Sequence, residues 1–229
     1  MPRKKQSKGK CTYCEQEMAK SAMTRHLLRC QKRLEAIEKS ENKGSGSKRE
    51  NLYHLRVQDV WGGDFWLDLE MKGASTLEDL DSYLRGIWLE CCGHLSQFSV
   101  GGWHGSEIPM SRKAAEVFDE GVELIHIYDF GTSSETMVKV QAIRTGKPIT
   151  KKPIELMARN LLPEVKCTEC ENLARWFCQE CVIEEDSPGT LCDEHAKMHP
   201  HDNYGEPIPL VNSPRLGMCG YAGPAEPPY

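Results

Sequence analysis

No stretch of this sequence approaches the roughly 18 consecutive apolar residues that a membrane-spanning helix needs. The basic N-terminus, MPRKKQSKGK, has no apolar segment behind it, so neither a signal peptide nor a membrane anchor is expected, and a reducing, cytoplasmic setting is. Common catalytic signatures are missing as well. Neither His-Glu-x-x-His nor Gly-x-Ser-x-Gly occurs, and the GSGSK run at Gly44–Lys48 lacks the spacing of a phosphate-binding loop. Asp129-Phe130-Gly131 copies a kinase magnesium motif without the Gly-rich loop and His-Arg-Asp element that must accompany it, which excludes a kinase.

Cysteine, by contrast, is abundant: 11 in 229 residues, most in Cys-x-x-Cys pairs accompanied by histidines. That is the spacing of metal ligands rather than of a disulfide framework. Charge is divided along the chain. Residues 1–49 hold 14 Lys/Arg against 5 Asp/Glu, while the remainder holds 15 against 29. The length suits one medium globular domain with small modules attached.

The first candidate metal site is Cys11-x2-Cys14 followed, after eleven residues, by His26-x3-Cys30. Two thiolates on a tight turn and an imidazole and thiolate one helical turn apart can close a tetrahedron, with Met18, Met23 and Leu27 as its small core. This arrangement resembles the ββα zinc finger with its last histidine replaced by cysteine, over about twenty residues. Around it, Arg3, Lys4, Lys5, Lys20, Arg25, Arg29, Lys32 and Arg33 form a cationic footprint suited to nucleic-acid phosphates. A lone finger reads only about three base pairs, so little sequence specificity is expected.

The second cluster spans 35 residues: Cys167-x2-Cys170, Cys178-x2-Cys181 and Cys192-x2-His195-x3-His199-x-His201. Eight ligands suffice for two zinc ions, three in the whole chain. Sequence proximity alone would group the first four cysteines. The segment also resembles the cross-braced B-box class of zinc domains, which implies one site from Cys167, Cys170, Cys192 and His195 and another from Cys178, Cys181, His199 and His201. Cys219 competes with His201 for the last position, and a single-zinc arrangement with spectator histidines is the alternative. Every ligand position is filled by protein, which points to structural rather than catalytic zinc. The acidic Glu180, Glu184, Glu185 and Asp186 make this module unsuited to phosphate and suited to a protein partner.

Between the clusters, the sequence predicts an α+β domain. LYHLRVQDV and FWLDLEMKG read as strands joined by the turn Trp61–Asp64; HLSQFSVGG, VELIHIYDFG and MVKVQAIRTG read as further strands. Thr76 and Asp79 form a capping box ahead of a helix carrying Leu77, Leu80, Leu84, Ile87 and Trp88, and 112–120 forms a short helix. The evenly spaced carboxylates Asp64, Asp68 and Glu70 read as a solvated strand face. The divisions expected are a basic arm and finger (1–40), a flexible Gly/Ser/Lys linker (41–50), the α+β domain (51–147), a connector (148–165) containing a short helix over 154–162, and a two-zinc module with tail (166–229).

The run Trp88 to Phe98 (WLECCGHLSQF) and Tyr128–Gly131 (YDFG) resemble the plasmid pRiA-type open-reading-frame family of bacteria and archaea, over roughly residues 52–146. Thr132–Glu135 departs from the Asp/Ser-Ser-Trp that usually follows there. The resemblance implies a small α+β fold, a prokaryotic mobile-element or defence setting, and no firm activity. Together these readings predict a non-catalytic, zinc-binding adaptor that meets nucleic acid with its finger and a protein with its C-terminal module. The alternatives are a pure protein-interaction scaffold and an enzyme using His94 and Asp129, with Cys91, Cys92 and His126 nearby.

Overall fold

The computed structural model describes residues 7–42, 48–90 and 92–218. Among the described residues, those up to Leu161, apart from 85–93, form one compact unit, and those of 85–93 with those from Leu162 on form the other. Among the described residues, no helix is long and apolar enough to cross a membrane.

The first unit is α+β, built on a nine-stranded sheet. Its elements in chain order are β1 (Lys8–Cys11), β2 (Glu17–Ala19), α1 (Lys20–Arg29), α2 (Gln31–Asn42), β3 (Glu50–Asp59), β4 (Trp66–Lys72), α3 (Leu77–Trp88), β5 (Ser96–Val100), β6 (Ser106–Ile108), α4 (Ala114–Val117), β7 (Glu123–Tyr128), β8 (Ser134–Gly146) and β9 (Ile154–Asn160). The strand order is β2-β1-β9-β4-β3-β8-β7-β5-β6, all pairings antiparallel.

Several of these elements follow local chemistry. The turn between β3 and β4 is tied by Asp59, whose carboxylate accepts from the Gly62, Gly63 and Phe65 amides. At the start of α3, the Thr76 amide donates to Asp79 and the Asp79 amide donates back to the Thr76 hydroxyl, a reciprocal cap. Alternation along the central strands then divides the sheet into two unlike faces. Tyr53, Leu55, Val57, Leu67, Leu69 and Met71 share one face by register, and all are buried. Leu77, Leu80 and Leu84 of α3 are buried as well, and Asp81 reaches His126 of β7 on that same face at 2.8 Å.

The opposite face is charged, which overturns the expectation of a solvated edge. Asp68 has no exposed surface; its carboxylate accepts from Arg56 and lies 2.7 Å from His54 Nε2. Glu70 is buried between Arg33 of α2 (2.8 Å) and Arg144 of β8. The even spacing of Asp68 and Glu70 does place them on one face, but β4 is an interior strand and α1 and α2 cover that face. Arg56 also lies 4.8 Å over the Trp66 ring and donates to Thr24 of α1.

The segment 154–162 corrects another expectation. It is not a helix, because Ile154–Asn160 is β9, held between β1 and β4. Its Leu, Met, Ala, Glu and Arg residues favour helix intrinsically, but two flanking strands with unpaired backbone groups outweigh propensity. A register shift, which leaves Met157 between the pairs Leu69↔Leu156 and Asp68↔Ala158, also breaks the alternation that would signal a strand.

The N-terminal hairpin is therefore part of the sheet. Gly9 pairs with Asn160 and Cys11 with Ala158, and Thr12 donates to the Leu156 and Met157 carbonyls. Glycine is required at position 9, since a Cβ there would stand 2.4 Å from the Trp66 ring. Gly9→Ala is expected to cost about 1–3 kcal/mol, the usual range for overpacking, measured as a loss of stability in thermal or urea denaturation.

The second unit has small elements: β10 (Trp176–Phe177), α5 (Gln179–Glu184), β11 (Thr190–Leu191), α6 (Asp193–Lys197) and β12 (Ile208–Pro209), with strand order β11-β10-β12.

Candidate metal centres

Three groups of four Cys/His side chains each bring their ligand atoms within 4.8 Å of one another: Cys11, Cys14, His26 and Cys30; Cys167, Cys170, Cys192 and His195; and Cys178, Cys181, His199 and His201. Each group could hold a metal ion. A tetrahedral ion with metal–sulfur bonds of about 2.3 Å has sulfur–sulfur edges of roughly 3.8 Å. The Cys11–Cys30 sulfurs are 4.0 Å apart and the Cys170–Cys192 sulfurs 3.9 Å. Both are far beyond the roughly 2 Å of a disulfide.

In the first group, Cys11 ends β1 and Cys14 follows in the turn closed by the Glu15 amide donating to the Cys11 carbonyl. Helix α1 then carries His26, whose Nε2 is 3.3 Å from the Cys14 sulfur, and Cys30 caps its C-terminal end. Cys11, Met23, Leu27 and Cys30 pack with Trp66, Met157 and Ala158, so this centre shares its core with the sheet. Burial pushes the Cys11 thiol up to about 12.

In the second unit the antiparallel ladder of β10 and β11 decides the grouping. Trp176 pairs with Leu191 and Phe177 with Thr190, so Cys178 and Cys192 leave the ladder from opposite ends. Cys192 joins Cys167 and Cys170, its sulfur 3.9 Å from that of Cys170, rather than Cys178. His195 Nδ1 then lies 3.4 Å from the sulfurs of both Cys167 and Cys192. Burial opposes ionisation of Cys167. Backbone amides of Cys192, Glu169 and Cys170, with the His195 ring, nevertheless bring it down to about 6. In the other group, burial pushes Cys181 up to about 12.

The third group resolves how two histidines one residue apart serve one centre: they present different ring nitrogens. His199 Nε2 is 3.2 Å, and His201 Nδ1 3.4 Å, from the Cys181 sulfur. The far nitrogen of His201, Nε2, lies 3.1 Å from Glu185, the carboxylate–imidazole brace that commonly orients a metal-bound histidine. Cys219, the competing candidate, lies outside the described residues.

Other candidates are redistributed. Arg33 cannot serve as a phosphate contact, because it is 5% exposed and paired with Glu70. Lys20 donates to the Gly63 carbonyl at 2.5 Å. Arg25, Arg29 and Lys32 remain exposed on α1 and α2, while Arg3, Lys4 and Lys5 lie outside the described residues. Of the acids expected to form a free surface, three are tied to the unit itself, while Asp186 remains exposed. Glu180 is buried and accepts from the Asn203 amide and side chain, Glu185 holds His201, and Glu184 accepts from Tyr204.

Of the candidate enzyme residues, the structure brings His94 and Asp129 together, with His94 Nε2 3.7 Å from the Asp129 carboxylate and the imidazole half-exposed, while His126 is buried against Asp81. Cys92 is exposed and Cys91 lies outside the described residues. Asp129 holds a left-handed backbone (φ 61°) and caps its own turn by accepting from the Gly131 amide. The buried set His54, Arg56, Asp68 and Glu70, with partly buried Arg144, escapes sequence reading, since a charged strand face looks the same whether water or helices cover it.

No protein-family model matches the chain, and no curated protein does. Among solved structures, the chain is similar to a protein of unknown function from Methanosarcina mazei Go1, at 20% identity and a TM-score of 0.40, covering 46% of this chain and 67% of that one.

Proposed function

We propose that this protein is a non-catalytic zinc adaptor: three closed zinc centres hold its shape, α1 and α2 meet nucleic acid, and the second unit meets a protein. Zinc is the ion that a tetrahedral set of cysteine thiolates and imidazoles favours, and four protein ligands per centre leave no open position for a reacting water. The observation that carries the nucleic-acid reading is the outward placement of Arg25, Arg29 and Lys32 without acidic partners among the described residues, while neighbouring Lys20 and Arg33 are turned inward.

The test must spare the sheet, because removing residues 1–49 would take β1 with them. Deleting residues 1–6 removes Arg3, Lys4 and Lys5 and leaves β1 intact. Duplex and single-stranded oligonucleotides, followed by fluorescence anisotropy across a salt series, are expected to bind the intact chain with steep salt dependence. The triple change Arg25→Glu, Arg29→Glu, Lys32→Glu is expected to weaken binding at least tenfold at low salt and to flatten the log–log salt slope by about 3. Unaltered affinity and slope in that variant would exclude this surface. A scaffold reading draws on Leu28 and Leu34, 50% and 42% exposed on the same helices. Absence of nucleic-acid retention in low salt by the intact chain would favour it.

A further inference from the structure

The second unit contains a cavity of about 620 Å³ beside the third metal group. One part of its wall is apolar and flat, made by Trp176, Pro200 and Pro207; another is acidic, made by Asp193, Asp202 and Glu206, against a single cation, Lys197. Asp193 is oriented by the Trp176 indole, which donates to it at 2.8 Å, and is paired at 3.6 Å with Arg175 outside the wall, so ring and carboxylate are fixed together and the free charge of the rim lies on Asp202 and Glu206. Asp202 and Glu206 are exposed and make no ion pair among the described residues. They lie on a segment pinned on one side by the ligand His201 and on another by Asn203, which donates to buried Glu180. The walls are therefore held in place by the third Cys/His group and by Asn203 on Glu180.

We infer that this cavity docks a cationic, Arg- or Lys-bearing segment of a protein partner. A guanidinium or an aliphatic lysine stem lies well against an indole face, and its charge meets carboxylates at the rim. The excess negative charge repels a phosphate backbone, which separates this site from the cationic helices of the first unit. The volume falls in the range of pockets that enclose a few side chains. This inference rests on the reading of the second unit as protein-facing and specifies the partner's chemistry.

The probe is a fluorescein-labelled peptide, Arg-Ala-Lys-Ala-Arg-Ala, offered to the full-length metal-loaded chain alongside versions with glutamate or glutamine at the charged positions. The cationic peptide is expected to bind and the other two to bind at least tenfold more weakly. Asp202→Asn with Glu206→Gln, both exposed, is expected to lose most of that binding with metal content and nucleic-acid affinity unchanged. Equal binding by the double variant, or preference for the neutral or anionic peptide, would overturn the inference while leaving a protein-facing module. Failure of all three peptides would count against both. Self-association that depends on Asp202, seen by sedimentation, would assign the cavity to a second copy of this chain and also overturn it.

Discussion

Cys30→Ala is expected to lower the zinc content from three ions per chain to two, one for each remaining four-ligand group, and to destabilise the whole first unit rather than the finger alone. Apparent binding energies of structural zinc in finger peptides are about 10–16 kcal/mol at neutral pH, and a typical domain is stable by only about 5–15 kcal/mol. Losing even part of the first is decisive when the metal's core is the sheet's core. Here it is, because Cys11, Cys30, Met23 and Leu27 pack on Trp66 of β4 and Met157 and Ala158 of β9. Elemental analysis gives the stoichiometry, and hydrogen exchange gives the extent. Protection is expected to fall across β4 and β9 as well as residues 8–30. Loss confined to residues 8–30 would show that the finger folds independently of the sheet.

The second large effect is expected at Glu70. Glu70→Ala leaves Arg33, enclosed between α2 and the sheet, and the partly buried Arg144 without their counterion. Removing one member of a buried ion pair costs about 3–5 kcal/mol, because a charge is stranded rather than a contact merely lost. Urea denaturation would measure it. The joint change Glu70→Met with Arg33→Met is expected to recover much of the loss, since replacing both partners by apolar groups is often neutral. If the joint change proved as damaging as the single one, stranded charge would not be the cause. Burial works against the Glu70 carboxylate, but the Arg144 and Arg33 guanidinium groups prevail and hold it below the usual glutamate range. A depressed folded-state value means that its contribution is fully present above that range and is lost as pH falls through the folded value.

Where chemistry is local, the sequence was readable. Cys-x2-Cys and His-x3-Cys spacings mark metal ligands because a turn or one helical turn converges them, and Thr76 with Asp79 marks the start of α3 because a cap needs only three residues. What escaped depends on distant partners. Helix-favouring residues in β9 yield to β1 and β4, which are far away along the chain. Asp68 and Arg33 look solvated until α2 and the sheet close over them. Glu180, Glu184 and Glu185 resemble a free acidic surface because Asn203, Tyr204 and His201 come 23, 20 and 16 residues later, on a segment brought back beside the Cys/His group.

The pairing of β1 with β9 joins residues about 150 positions apart, Gly9 with Asn160. During synthesis the hairpin and α1 are made well before β9, with all four Cys/His side chains of their group already present by residue 30. The strand they dock against is made last among those of the first unit. Until β9 is added, Met23 and Leu27 lack the Met157 and Ala158 surface they pack against, so the interval between residues 30 and 160 is when that apolar face is exposed to misassociation.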